Sequence, residues 1–377
     1  MTRLSVVAVA VAAALTASGA QAAEARREAF GALPDGTPVE AVVLTNGAGV
    51  SARIISLGAI LQSLVTPDRN GQVDEITLGY DTAAEYLAKP NYFGASIGRY
   101  ANRIKGGRFT LDGREHVLPA NDGPNHLHGG PAGFDKQVWR ITAVRSGPEA
   151  SVTLAYRSPD GEAGYPGALE ATVTYSLNER NELKIAYGAT TDRPTVVNLT
   201  NHAFFNLAGE RAATGILDQR LTLHAERYTP VDETLIPTGE LRPVAGSPFD
   251  FRSPAAIGAR IREGGDAQMR LGRGYDHNFV INGQAGELRP AARLEDAASG
   301  RRMDLLVTAP GLQVYSGNSL DGTTVGRGGR VYRQSDGLCL EPQVFPDSPN
   351  QPAFPSARLD PGQTYANVMV LRFSTMR

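Results

Sequence analysis

The stretch ATVTYSLNERNELKIAY, residues 171–187, decides the fold. Ala171, Val173, Tyr175 and Leu177 alternate with Thr172, Thr174 and Ser176, and Leu183, Ile185 and Tyr187 resume the alternation after the polar run Asn178–Asn181. Successive side chains of an extended chain point to opposite faces, so a period of two marks a strand with one buried face. The expected unit is strand, turn, strand. Working outward, Ser151–Arg157 sets Val152, Leu154 and Tyr156 against Thr153 and Ala155 in the same way. Upstream, Val42–Leu44 and Val50–Ile55 flank Asn46-Gly47, a pair that readily takes the positive φ of a type I′ turn, and another hairpin is expected there. Helical patterning is scarce, with about two turns each expected over Thr82–Lys89 and Pro254–Ile261.

The 42 glycines and 24 prolines are spread along the chain rather than gathered in a linker, as many short strands with many turns require. The composition is that of an all-β protein. A propeller would repeat about every 40–50 residues, and no such period is present. A large antiparallel β-sandwich is expected, built as one domain over residues 23–377.

Arg3 precedes an apolar run from Leu4 to Leu15, and Ala20-Gln-Ala22 follows it, the pattern of a signal peptide cleaved before Ala23. The run is too short to anchor permanently in a bilayer, so the expectation is export to the periplasm with no membrane attachment after cleavage. A lone Cys339 excludes an intrachain disulfide, which leaves stability to the core. A net charge of −2 without any basic run argues against nucleic acid or anionic lipid as a partner and favours a small neutral ligand.

The six histidines are His116, His126, His128, His202, His224 and His277. His202 has the most unusual setting, in the amide-rich segment Asn198–Gly209, where a strand entered through Val196-Val197 would carry an imidazole to its exposed end. Histidine titrates near neutrality and suits proton transfer; a satisfied structural histidine reads equally well from this segment. Glu341 follows the apolar Leu338-Cys-Leu340, as either a base drawn into a partly dry cleft or an ordinary strand-end charge. Burial would raise its pKa and make it the better base. His126 and His128, two apart on a strand, would share a face like a metal pair, but no third ligand stands nearby and hydrogen bonding to a ligand serves as well. Arg99 and Arg103 form a cationic fork that could grip hydroxyls.

Together these segments resemble the galactose mutarotase family of aldose 1-epimerases. The resemblance rests on GRYANRI (98–104), PNHLHGG (124–130), GFDK (133–136), Asn198–Gly209, RYTPVDETLIPTG (227–239), PFDFR (248–252), YDHNF (275–279), PGLQVYSGN (310–318) and the stretch from Cys339 to Pro352, all in family order. It implies the family's large antiparallel β-sandwich, a supersandwich, with His202 as general acid, Glu341 as general base, and Asn102, Arg103, His128, Asp276 and Gln313 as sugar contacts. His126 falls on a variable family position. Ala309 stands where Glu or Gln often precedes the Pro-Gly pair, so the adjoining rim is expected to differ.

The implied reaction interconverts the α and β anomers of a free aldohexose such as galactose or glucose. Ring opening takes a proton from the O1 hydroxyl and gives one to O5, a task for one base and one acid, with no cofactor and no metal expected. An exported sugar-binding protein without activity, a glycoside hydrolase and a hexose-phosphate epimerase are the competing readings. The hydrolase would need paired carboxylates, and none is evident in the sequence.

Overall fold

A computed structural model of the chain describes residues 22–376 except Pro90. The leader reading of residues 1–22 falls outside the described residues but for Ala22. Nearly all regular structure is strand. A nine-stranded sheet runs in the order Arg140–Arg145, Glu149–Ser158, Leu169–Asn178, Glu182–Thr191, Tyr365–Thr375, Arg301–Val307, Arg289–Glu295, Arg220–Leu223 and Ala255–Ala256. Its pairings are antiparallel. The fold-deciding stretch lies near its middle, where Leu177 pairs with Leu183 and Asn181 takes φ 59° to close the turn.

A five-stranded sheet (Glu24–Ala32, Pro38–Thr45, Ser51–Ile55, Ile60–Pro67, Val73–Glu75) and a six-stranded one built around Leu338–Gln343, Gly311–Tyr315 and Asp276–Ile281 supply the opposing side chains. Val42, Leu44 and Leu61 from the first, and Phe279, Leu312 and Leu340 from the second, join Val152, Val173, Ile185 and Leu371 in one buried cluster. The side of each strand that alternation marks as apolar therefore forms the filling between layers, the arrangement of packed sheets.

Local corrections have physical causes. The first hairpin forms, but Thr45 pairs with Ser51 across a longer loop, with positive φ at Gly49 rather than a two-residue turn at Asn46-Gly47. Asn46 Oδ1 accepts from the amides of Ala48 and Val50, which stabilises the wider loop. Thr82 caps a helix over Ala83–Ala88 through a reciprocal pair of bonds with Glu85. Pro254–Ile261 instead gives a two-residue strand, Ala255–Ala256, and a 3-10 turn at Ile257–Ala259, because Ala255 and Ala256 pair with the Arg220–Leu223 strand. A short helix at Ala267–Gly272, capped by Asp266, had no clear signal.

Candidate active site

Short strands and side-chain amides assemble the site. His202 directly follows the Thr200–Asn201 strand, which pairs with Ser96–Ile97, and its amide donates to the Ala95 carbonyl. The amides of the Asn198–Gly209 segment act mainly as clamps. Asn198 donates to the carbonyls of Ala101 and Val344 and accepts from the Val344 amide, so one side chain ties the Asn102–Arg103 segment to the strand carrying Glu341. His202 itself is buried, with 4% of its surface exposed, rather than standing at an exposed strand end.

Register supplies the other wall. Asn278 pairs with Gln313, and Gln313 with Glu341, across three neighbouring strands, so their side chains share a face that Asp276 joins two residues earlier. Gln313 donates to Asp276 Oδ1 at 2.6 Å, and Gln343 donates to Gln313 Oε1 at 3.3 Å. A cleft of about 530 Å³ is lined by all seven residues expected from the sequence: Asn102, Arg103, His128, His202, Asp276, Gln313 and Glu341. Across it His202 Nε2 lies 3.6 Å from Glu341 Oε1, and Glu341 Oε2 is buried without a hydrogen-bond partner. Unspent polar atoms on a cleft wall are where a ligand can be held. A second, more open depression of about 750 Å³ beside Asp250, Arg252 and Arg260 holds no histidine; there Arg252 pairs with Glu226 and Asp250, and Arg260 donates to the carbonyls of Pro248 and Asp250.

Two expectations fail. His126 and His128 do not share a face, because the strand ends at Leu127 and His128 takes φ 52°. His126 turns away, its Nδ1 on the Pro119 carbonyl and its Nε2 on the Tyr165 hydroxyl, both at 2.7 Å. Nor is Arg99 part of a fork. Its terminal nitrogens are spent on the carbonyls of Pro159, Pro166 and Gly167 and on Ser158, whereas Arg103 gives its Nε to Asp122 at 2.7 Å and turns to the cleft. Ala309 is buried, its carbonyl accepts a hydrogen bond from Arg289, and it stands outside the cleft lining.

Sequence reasoning missed Tyr92, whose ring lies 4.8 Å from that of His128 and 5.7 Å from that of His202, and Tyr315, 6.4 Å from His202. It also missed the contact of Cys339 Sγ with His202 Nδ1 at 3.6 Å. Tyr92 carries a φ of 57°, unfavourable for an aromatic residue; no pattern in the sequence marks it.

Burial dominates the electrostatics. It pushes His202 down to about 4 and His128 well below the usual imidazole range, where the neighbouring His202 and Arg103 act in the same direction. Glu341 is pushed well above the carboxylate range by burial and by the Asp276 carboxylate, against the pull of Arg103. With His202 pushed down and Glu341 pushed up, burial favours a neutral pair that holds one proton between its members. Asp276 and Glu341 form the carboxylate neighbourhood that the sequence alone concealed.

His128, His202 and Glu341 bring one ligand atom each within 4.8 Å of one another, which by residue type would suit zinc. The hydrogen bonding does not suit it. His128 Nδ1 accepts the Asn102 amide at 3.1 Å, so its proton sits on Nε2 and the ring turns an N–H, not a lone pair, to the cleft.

The sequence profile of the family described as Aldose 1-epimerase matches residues 40–372. Galactose mutarotase of Mus musculus is 45% identical over 348 residues, 92% of this chain and 98% of the relative. Aldose 1-epimerase of Escherichia coli is 41% identical over 342 residues, 90% and 96% of the two chains. The crystal structure of galactose 1-epimerase from Lactobacillus acidophilus superposes with a TM-score of 0.82 at 29% identity, covering 94% of this chain and 99% of the other. With nearly its whole length matched by sequence and by fold, this chain belongs to the aldose 1-epimerase family.

Proposed function

We propose that the cleft opens and recloses the pyranose ring of a free aldohexose, with Glu341 as base and His202 as acid. The function is that of an aldose 1-epimerase, and galactose and glucose are the substrates this reading names. The observation that carries the assignment of roles is the facing of His202 Nε2 and Glu341 Oε1 across 3.6 Å on the cleft wall. One residue can address the anomeric hydroxyl while the other addresses the ring oxygen.

The chemistry balances on one shared proton. The cyclic sugar carries a proton on O1 and none on O5, and matches the form in which Glu341 is a carboxylate and His202 an imidazolium. Glu341 takes the O1 proton, His202 gives its Nε2 proton to O5, and the C1–O5 bond breaks to leave an aldehyde. Carboxylic acid and neutral imidazole now face it. Rotation about C1–C2 presents the other face of C1, and the steps run backward to the second anomer. Burial favours the neutral pair, so the site's preferred protonation is the one that accompanies the open chain and lowers the cost of the less stable sugar form. Arg103 pulls the other way, favouring the carboxylate required for opening. Asp276 and Gln313, held together, and Asn102 and His128 offer contacts to the remaining hydroxyls.

Proton NMR of the anomeric signals of freshly dissolved α-galactose and α-glucose, with and without protein, tests the reading. Acceleration of equilibration is expected; an unchanged rate with both sugars overturns it. Export to the periplasm, proposed from Arg3, the apolar run and Ala20-Gln-Ala22, is tested by N-terminal sequencing of fractionated protein, with Ala23 expected first.

A further inference from the structure

Two histidines line the cleft with their Nε2 sides, and they differ in what holds Nδ1. Asn102 and His128 grip each other twice: the His128 amide donates to the Asn102 carbonyl at 3.0 Å, and the Asn102 amide donates to His128 Nδ1 at 3.1 Å. Both residues are in the left-handed region, φ 63° and 52°, which brings the ring back over the backbone. A peptide N–H can only donate. Protonating Nδ1 would set two N–H groups head to head in a buried place, so the imidazolium of His128 is disfavoured at any ordinary pH.

His202 Nδ1 instead meets the Cys339 thiol at 3.6 Å. Cys339 is completely buried, on a strand paired to both Phe204 and Tyr315, so its sulfur is fixed in place. A thiol is a weak donor through S–H and a weak acceptor through its lone pairs. It can face a bare Nδ1 or a protonated one, and in either state Nε2, with its proton before transfer to O5 and without it after, stays directed at Glu341. The titratable groups around the ring are Glu341, Cys339, His128, Tyr92 and Tyr315. Among them the thiol is the one on Nδ1.

We propose that these Nδ1 partners divide the labour: the Asn102 amide holds His128 as a permanent neutral Nε2–H donor to the sugar, and Cys339 is a positioning residue that lets His202 alternate between imidazole and imidazolium without turning its ring. The proposal rests on His202 being the acid of the reaction above. It gives two buried histidines with rings 5.1 Å apart different tasks.

The test combines ring-nitrogen NMR of ¹⁵N-histidine-labelled full-length protein with kinetics of Cys339 variants. The signals absent from His128→Gln identify His128, and they should keep the neutral Nε2–H pattern over the whole pH range in which the protein stays folded. Cys339→Ala should lower kcat about three- to tenfold with KM nearly constant, the size expected for one weak buried hydrogen bond. The acid limb of its kcat/KM profile should move to lower pH, because an imidazolium Nδ1–H then lacks an acceptor. Cys339→Ser, which keeps a donor and acceptor, should restore both, and it carries the test if the alanine variant does not fold. An imidazolium or Nδ1–H pattern at His128, or a Cys339→Ala profile that coincides with the parent's, overturns the proposal. Failure of the parent to equilibrate anomers would sink the functional reading instead, while the nitrogen spectra still decide the tautomers.

Discussion

Arg99 and Arg103 are four residues apart and both buried, yet they belong to different parts of the machine. Arg99 lies behind the cleft with its terminal nitrogens on the carbonyls of residues 159, 166 and 167 and on Ser158, while Arg103 spends only Nε, on Asp122, and faces the cleft. His126 and His128 repeat the contrast. The first has both ring nitrogens engaged by Pro119 and Tyr165, the second only Nδ1. Residue type and sequence neighbourhood are the same on both sides. The difference is whether a polar group is used up by the protein, which makes it part of the scaffold, or keeps an atom in reserve, which makes it available to a ligand.

The largest expected effect breaks the reserve at its centre. Glu341→Gln keeps shape but cannot take the O1 proton, so turnover of α-galactose should fall about 10²–10⁴-fold, roughly 3–5 kcal/mol of barrier, with the circular dichroism of the parent. His202→Ala should fall comparably, and the double variant by less than the product, since both act in one event. The parent's pH profile should be a bell. As pH drops through about 4, His202 gains a proton while Glu341 keeps its own, and the base is lost; as pH rises past the elevated Glu341 pKa the pair loses its one proton, and the acid is lost. An activity that survives undiminished in Glu341→Gln removes the assignment.

The two arginines should then separate stability from recognition. Arg99→Ala strands several buried carbonyls and should cost about 3–5 kcal/mol of folding stability, measured by urea denaturation. Arg103→Ala should lower kcat/KM about 10–100-fold, as for a charged hydrogen bond lost to the sugar, with the melting curve little changed. If the variants swap these phenotypes, the contrast between scaffold and cleft is wrong. The smallest expected effect is none: exhaustive dialysis against EDTA should leave turnover intact, because His128 presents an N–H to the cleft. Loss restored by one added metal would show that its tautomer is misassigned.

Much of this was readable in advance where a rule acts locally. Alternation over residues 171–187 marks two central strands, and helical patterning over Thr82–Lys89 marks a short helix, because these periods are set by residues a few positions apart; the cap by Thr82 and Glu85 is a finding of the structure. His202, Glu341 and the five contacts were found through motif resemblance, and they converge on one cleft. The shared face assumed for His126 and His128 failed because alternation ends where a strand ends, and here that is decided by the Asn102–His128 grip rather than by the local sequence.

The sequence by itself determined an all-β chain, its family, and the residues able to exchange protons, since side-chain chemistry, turn preferences and period-two patterning are properties of short segments. Tertiary structure decided which polar atoms remain free. Strand register set Asp276, Gln313 and Glu341 on one wall, and Asn198 fastened the Arg103 segment beside it. Burial then moved His202 and Glu341 to opposite sides of their ordinary pKa values. The physical reason is that desolvation and hydrogen-bond saturation depend on atoms brought together from more than a hundred residues apart, and only the folded chain brings them within reach.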